Sequence, residues 1–194
     1  TKAELVLDSV SAEITGANNA TYGFKRITNS YGIRGAHYTV PFYSSSTVST
    51  TTYDNYWLIT PPIYLESAKQ AHLTWDMALT GCATYTPNDN VVAEANMADD
   101  FTFMVVVSDD GGKTWKSSNA KVWNNALPAG QQLREIPHEA TNYQIDLSAF
   151  EGKNIKVAFY KEATTYLAAT CAMHIGNIRV AYYDKMALDT TACQ

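Results

Sequence analysis

The segment FTFMVVVSDDGGKTW, Phe101–Trp115, contains the two features that decide the fold of this chain, an alternating strand and a tight turn. Phe101, Phe103, Val105 and Val107 form one apolar row along its first half. Such alternation with a period of two is typical of a strand that has one face in a core. The strand leads directly into Asp-Asp-Gly-Gly, residues that favour turns. The segment therefore predicts a half-buried strand that enters a hairpin.

The turn matches the pattern Ser-x-Asp-x-Gly-x-Thr-Trp, the Asp-box of sialidase-like propellers, at Ser108, Asp110, Gly112, Thr114 and Trp115. We expect Asp110 to accept turn amide hydrogens, the glycines to adopt positive φ, and Trp115 to pack over the hairpin. A propeller needs several similar blades, but the chain contains no second copy of the motif. The motif therefore predicts a local hairpin, with the next strand starting near Lys113, and not a glycan-cleaving propeller.

The rest of the chain shows the same alternation and almost no helical periodicity. The segments HLTWDMAL, at 72–79, and NIKVAFYK, at 154–161, are predicted strands. Further strands are predicted at Glu4–Val10, Ala36–Tyr43, Tyr56–Leu65, Asn142–Leu147 and Met173–Tyr183. We expect their apolar faces to meet in one core that includes Trp75, Phe101, Phe103, Val105, Val157 and Phe159. Pro61-Pro62 must bend the chain or lie at an edge. The pattern predicts an all-β sandwich of two antiparallel sheets with little helix.

Length and charge narrow the possible functions. The chain has 194 residues, which suits a single module spanning residues 1–194. Charged residues make up 17% and the net charge is −5, which argues against a nucleic-acid partner. No apolar run approaches the roughly 18–20 residues of a membrane span. The chain starts at Thr1 with neither an initiator Met nor a signal peptide, so we interpret it as a mature or excised fragment.

The three cysteines, Cys82, Cys171 and Cys193, permit one disulfide at most. None has the spacing of a zinc site. If a bridge forms, Cys82 and Cys171 are the favoured pair, because each lies at the end of a predicted strand. One bridge and three free thiols both remain open at this point.

Four segments occur in the order typical of one family: DNYWLITPPIYL (Asp54–Leu65), FTFMVVVSDDGGKTW (Phe101–Trp115), YQIDLSAFEGKNIKVAFYK (Tyr143–Lys161) and MHIGNIRV (Met173–Val180). Together they resemble the cleaved-adhesin, or choice-of-anchor J, domains of secreted Bacteroidetes proteins, including the adhesin regions of gingipains. The resemblance covers about Tyr22 to Tyr183. It implies a jelly-roll β-sandwich similar to galactose-binding modules, secreted or on the cell surface, and carried beside a catalytic domain or an anchor.

The resemblance also bears on calcium. Such domains usually end in a strand whose Asp helps to hold a structural calcium ion, and here Gly176 takes the place of that Asp. Calcium requires six to eight oxygen ligands, and the remaining candidates are Asp54, Asn55, Asn177 and backbone carbonyls. We therefore expect no cofactor, little stabilisation by calcium, and greater calcium sensitivity after Gly176→Asp. Gly176 also interrupts the alternation, which predicts a bulge.

Candidate ligand-binding residues lie near the two long connections, Thr80–Asp100 and Trp123–Ala140. Trp123 is followed by the amides Asn124 and Asn125, with Gln131 and Gln132 nearby, and Tyr85 and Tyr166 could add to the site. A sugar needs an apolar ring face together with directed hydrogen bonds, which an aromatic residue beside amides provides. We assign Trp57 and Trp75 to the core instead.

Catalytic motifs are not evident in the sequence. A glycosidase needs two carboxylates across the scissile bond, whereas Asp76, the best strand-borne acid, has no partner acid two residues away. Nucleophile elbows and phosphate loops are lacking too. The sequence therefore predicts a non-catalytic extracellular recognition module that binds glycan or a host or surface protein, for targeting or adhesion. A glycan-active hydrolase and a structural spacer domain of a multidomain surface protein are the alternatives.

Overall fold

The computed structural model describes residues 2–6, 13–16, 23–30, 32–42, 54–80, 101–163 and 171–184. These ranges contain twelve strands: β1 (Lys2–Val6), β2 (Glu13–Gly16), β3 (Lys25–Ser30), β4 (Ile33–Pro41), β5 (Asp54–Ile59), β6 (Ile63–Tyr64), β7 (Ala68–Thr80), β8 (Thr102–Ser108), β9 (Ala120–Asn124), β10 (Thr141–Asp146), β11 (Asn154–Ala163) and β12 (Ala172–Asp184). Within the same ranges, helix is limited to three single 3₁₀ turns, at Ser117–Asn119, Leu133–Glu135 and Ser148–Phe150. No helix of this part of the chain has the length and apolar character needed to cross a membrane.

The strands form two antiparallel sheets that pack face to face. The first sheet has the order β10-β7-β12-β4-β3, with β1 also paired to β12. The second has the order β2-β5-β11-β8-β9, with β6 also paired to β11. The predicted all-β sandwich of two antiparallel sheets is therefore confirmed. The extent of the module, residues 1–194, stays a prediction.

One hydrophobic core lies between the sheets. The six side chains expected to meet there all belong to it, namely Trp75, Phe101, Phe103, Val105, Val157 and Phe159. Trp75 is fully buried at its centre, with ring centroids 5.8 Å from Phe159 and 6.2 Å from Trp123, both edge to face. Aromatic pairs prefer this arrangement over a flat sandwich, and each adds about 1 kcal/mol beyond area burial.

Three strands were missed or misplaced by the sequence pattern. The polar strands β2 and β3 lack a clear apolar row, so alternation does not reveal them. The strand after the turn begins at Ala120 and not near Lys113, because Ser117–Asn119 forms a 3₁₀ turn before the ladder with β8 starts. Pro61-Pro62 interrupts the predicted strand and separates β5 from β6, both of which pair with β11.

Trp57 does not belong to the core, contrary to expectation. Its neighbours Tyr56 and Leu58 are both buried in the core cluster, at 3% and 1% exposure. Successive strand residues point to opposite faces, so Trp57 lies on the outer face of the second sheet, where it is half-buried. Both faces of β5 carry large apolar residues, and alternation alone cannot tell which face is inside.

The predicted bulge in the last strand is confirmed. The pairing of β12 with β7 shifts register between Gly176 and Arg179, and Asn177 there has a φ of 50°. Gly176 itself packs closely against β4. A β-carbon at this position would lie 2.5 Å from Ile33 Cγ2 and 2.8 Å from His37 Cβ. The absence of a side chain is therefore what lets β4 and β12 approach here.

Candidate functional site

The expected sugar-binding residues are not brought together in one open site. Trp123 is only 3% exposed, with its ring packed against Trp75, Phe103 and Tyr143. A ring enclosed on these sides offers no open face to a sugar, so this expectation is corrected, and Trp123 is a core residue. Tyr85 and Tyr166, as well as the connection 81–100, lie outside the described residues.

The amides after Trp123 hold their own loop together. Asn125 is 4% exposed, and its Oδ1 accepts the amide hydrogen of Arg134 at 3.0 Å. Gln132 donates from Nε2 to the Leu127 carbonyl at 2.8 Å. Asn125 is too buried to meet a surface ligand, although its Nδ2 has no hydrogen-bond partner among the described residues, and the Gln132 amide is already engaged. Of the predicted polar residues, Asn124 differs, because it belongs to β9 and lies on the outer face of the second sheet.

That outer face carries an apolar row across four neighbouring strands. The row consists of Trp57 on β5, Tyr160 on β11, Met104 on β8 and Val122 on β9, which are paired in register. We call these four residues the aromatic stripe. Tyr160 is 7% exposed, and the other three are half-buried. The ring centroids of Trp57 and Tyr160 are 4.4 Å apart, and Trp115 from the turn adds a third ring 5.6 Å from Trp57.

A polar row runs beside the stripe, two residues away from it on each strand. Its members are Asn55, Glu162, Thr102 and Asn124, again paired in register and each half-buried. Asn124 Nδ2 donates to Thr102 Oγ1 at 2.9 Å and its Oδ1 accepts the Ala126 amide hydrogen at 2.8 Å, so the half-buried amide keeps one hydrogen and one lone pair for a ligand. We call these four residues the polar row. The face thus combines an apolar surface with hydrogen-bonding groups at one side of it.

Tyr160 links the stripe to the polar row. Its hydroxyl donates to Glu162 Oε2 and is also hydrogen-bonded by Asn55. Burial, and then the hydrogen bond and negative charge of Glu162, raise the pKa of Tyr160. The phenol therefore stays protonated at physiological pH and keeps donating, which orients the Glu162 carboxylate.

The turn that carries Trp115 is held by Asp110, as the motif predicts. Asp110 Oδ1 accepts the amide hydrogens of Lys113 and Thr114, both at 3.0 Å. Gly111 and Gly112 have φ values of 77° and 89°. Hydrogen bonds from Thr114 and Ser108 keep the Asp110 pKa far below its usual range. The turn is thus a compact support that places Trp115 against Trp57.

Asp110→Ala is expected to speed hydrogen exchange of the Lys113 and Thr114 amides about ten-fold or more, because both lose their acceptor. Exchange followed by nuclear magnetic resonance at each amide measures the effect. Asp109→Ala is the matched control, since the Asp109 carboxylate pairs with Lys153 at 2.8 Å and Lys116 at 3.9 Å instead. Equal protection of the two amides in both variants would show that Asp110 does not hold the turn.

The residues suggested for calcium do not form one site. Asn55 lies on the outer face of the second sheet, whereas Asn177 belongs to the first sheet. Asn177 Nδ2 donates to Asp76 Oδ2 at 2.5 Å, and Asn142 donates to Asp76 Oδ1 at 2.8 Å. The Asp54 side chain lies outside the described residues. Asn177 is thus bound to a carboxylate on its own sheet, and the proposed ligand set does not fit a calcium ion there.

Two buried histidines lie on the outer side of the first sheet. His37 is 1% and His174 is 3% exposed, with ring centroids 5.9 Å apart. His174 Nε2 lies 2.9 Å from Thr80 Oγ1. Burial, followed by the nearby His37, lowers the pKa of His174 to about 4, and burial also lowers the pKa of His37. Both imidazoles are therefore neutral in the folded protein at neutral pH.

The free energy of unfolding is expected to fall as the pH drops from about 6.5 to 4. In that range the unfolded chain protonates His174 while the folded chain does not, so protons favour unfolding. A pKa of about 4 in the folded state makes the loss approach about 3 kcal/mol at the acid end. Urea titrations at several pH values measure it. His174→Gln should flatten the curve, and His138→Gln, at an exposed position, should not.

Comparison with known proteins shows what the fold resembles. No family model matches the chain, and no curated protein sequence does either. The K1 cleaved adhesin domain of Lys-gingipain from Porphyromonas gingivalis W83 is 15% identical, with 93% of this chain and 97% of that chain covered and a TM-score of 0.50. The K3 domain of the same protein is 12% identical, with 92% and 98% covered and a TM-score of 0.50. The carbohydrate-binding module TmCBM61, solved with β-1,4-galactotriose, is 11% identical, with 89% of this chain and 88% of that chain covered and a TM-score of 0.48. The chain thus shares the fold of cleaved adhesin domains.

Proposed function

We propose that this chain is a non-catalytic, secreted or surface-exposed recognition module that binds glycan on the outer face of its second sheet. The observation that supports this most is the aromatic stripe with the polar row beside it. Apolar residues on the outer face of a sheet lie outside the core, and the half-buried members of the stripe keep part of their apolar surface accessible beside polar groups, an arrangement that marks interaction sites. Asn124 is the member of the predicted ligand set that this proposal retains.

Sugars match such a surface chemically. The CH groups of a pyranose pack on an aromatic ring, while its hydroxyl groups need directed hydrogen bonds. Trp57 and Trp115 supply the rings, and the polar row supplies amide, hydroxyl and carboxylate groups. A protein partner also buries apolar surface. The apolar row and the polar row, however, run side by side across the same four strands, and this favours a glycan chain, whose two edges can differ chemically.

The same face supports binding better than hydrolysis. Glycoside hydrolysis requires two carboxyl groups on either side of the scissile bond. The polar row contains one carboxylate, Glu162, and its hydrogen bond with Tyr160 is already made. Membership of the cleaved-adhesin family is part of this proposal. It is supported by the order of the four sequence segments and by the shared β-sandwich.

Trp57→Ala is expected to weaken glycan binding at least ten-fold, because it removes one of the two half-buried rings of the proposed site, and loss of one aromatic contact costs about 1.5–3 kcal/mol. Screening the whole chain on a glycan array identifies the ligand, and calorimetry with the best soluble hit measures the change. Tyr64→Ala is the matched control, since Tyr64 is 63% exposed on β6 and pairs with Asn154, six residues along β11 from Tyr160.

Two results would contradict the proposal in different ways. Equal loss of affinity in Trp57→Ala and Tyr64→Ala would mean that the contact is not specific to the stripe. A chain that binds no glycan on the array would instead favour the spacer or protein-docking role.

A further inference from the structure

We infer that the aromatic stripe and the polar row bind a single, soluble and uncharged glycan chain, and neither the surface of a crystalline polysaccharide nor an acidic glycan. This inference rests on the proposed function and names the ligand class of the same face. Ring geometry, the spacing of the two rows and the position of one carboxylate carry it.

The two accessible rings do not share a plane. Trp57 and Trp115 are both half-buried, and their ring planes differ by 43° at a centroid separation of 5.6 Å. Tyr160, tilted by 51° to Trp57, is too buried to widen the platform. A sugar packs with its CH face parallel to the aromatic ring. A flat crystal surface therefore cannot contact both rings, whereas one chain can rotate its successive sugars to follow the tilt.

The dimensions of the face suit a short oligosaccharide. Four neighbouring strands span about 14 Å, because adjacent strands lie about 4.8 Å apart. The polar row lies two residues from the stripe on each strand, a distance of about 7 Å. A chain that lies across the strands on the stripe therefore brings the hydroxyl groups of one edge within reach of Asn55, Glu162, Thr102 and Asn124.

The charge of the polar row disfavours acidic sugars. Glu162 is its one charged member, and its carboxylate is oriented by the Tyr160 hydroxyl. Carboxylates accept hydrogen bonds from sugar hydroxyls but repel a second carboxylate, by about 1 kcal/mol or more at a half-buried site. Lys156 lies on the other side of the stripe, near the turn that carries Trp115, with its Nζ 3.8 Å from where a β-carbon of Gly112 would stand. Within the polar row Glu162 is the one charge, and it sets the potential there.

The experiment compares three sets of probes with the whole chain. The first set contains soluble neutral oligosaccharides, such as β-1,4-mannan oligomers. The second contains their acidic counterparts with a carboxylate at carbon 6, such as β-1,4-mannuronate oligomers. The third contains insoluble crystalline cellulose and chitin. We expect binding to at least one neutral oligosaccharide, with affinity that rises from the monosaccharide to a short oligomer and then levels off. Acidic counterparts and crystalline polymers should bind at least ten-fold more weakly.

Variants separate the possible outcomes. An acidic or a crystalline probe that binds most tightly, and loses binding in Trp57→Ala, would overturn the ligand class and leave the proposed function standing. No binding to any probe, or capture of a protein by the stripe in place of glycan, would overturn both. Glycan binding that is unchanged in Trp57→Ala would show that the ligand lies elsewhere on the chain, and would overturn the inference.

Glu162→Gln tests the charge argument directly, because Gln keeps an acceptor for the Tyr160 hydroxyl and removes the negative charge. Affinity for the neutral oligomer should fall about three-fold or more, because an amide oxygen is a weaker acceptor than a carboxylate, while affinity for its acidic counterpart should rise about three- to ten-fold at low salt. The gain should shrink as salt is added. An acidic oligomer that gains nothing from Glu162→Gln would contradict the assigned role of this carboxylate.

Discussion

Gly176→Asp is expected to destabilise the protein by about 5 kcal/mol and to create no calcium site. The new β-carbon would stand 2.5 Å from Ile33 Cγ2 and 2.8 Å from His37 Cβ, distances at which packed carbon atoms must move apart. Overpacking of this kind costs about 1–3 kcal/mol. A buried carboxyl group without a prepared partner adds about 1–3 kcal/mol. The greater calcium sensitivity expected from the sequence is therefore replaced by a loss of stability.

Urea denaturation of a short series of variants measures this effect. Gly176→Ala should lose about 3 kcal/mol, because it retains the clash without the charge. Gly152→Ala is the control, since Gly152 has a φ of 82° with no atom near its absent side chain, so only backbone strain of about 1–2 kcal/mol is expected. Ile33→Ala should lower the free energy of unfolding by less in the Gly176→Ala variant than in the unmodified protein, because the two positions are in contact. Equal losses for both alanine variants would show that close packing is not what requires glycine at 176.

Cys171→Ser is expected to cost about 4–5 kcal/mol under oxidising conditions. Cys171 is fully buried and disulfide-bonded. Its partner lies outside the described residues, as do both other cysteines, so the Cys82–Cys171 pairing stays a prediction. A bridge between these positions closes a loop of about 90 residues, and its loss restores about 4–5 kcal/mol of chain entropy to the unfolded state.

Single replacements identify the partner. Cys82→Ser should be as destabilising as Cys171→Ser, and Cys193→Ser should leave the denaturation midpoint unchanged. A pairing with Cys193 would close a loop of only about 22 residues, worth roughly 3 kcal/mol, and would reverse the order of the two replacements. Non-reducing peptide mapping gives an independent answer. Free thiols at both 82 and 171 in the oxidised protein would rule out the predicted bridge.

The candidate face could be predicted only in part. The sequence indicates Asn124 as a ligand residue because it follows Trp123. Its actual place, in one row with Thr102, cannot be read from the sequence. The sequence contains one signal that Trp57 could lie outside the core, namely that both faces of β5 carry apolar residues. Nothing local shows that Trp115, nearly sixty residues later, packs against it. Contacts between strands distant in sequence depend on the register of the whole sheet, which single segments do not contain.

The sequence by itself determined the strands and the turn, because both depend on residues that are near neighbours. Alternation in HLTWDMAL and FTFMVVVS identifies a strand within eight residues, and the side chain and glycines of the Ser108–Trp115 turn form its hydrogen bonds locally. Tertiary structure decided which face is inside where both faces of a strand carry apolar residues. Trp123 and Trp57 exchanged their expected places for this reason.

Lys161 shows the role of tertiary packing most clearly. It is fully buried, with its ammonium 5.1 Å from the Tyr56 ring centroid and 5.9 Å from that of Phe42. Alternation with Val157 and Phe159 puts Lys161 on the inner face, whereas a lysine as a residue type is expected in water, and the packing of the second sheet against the first decides that this one stays in the interior.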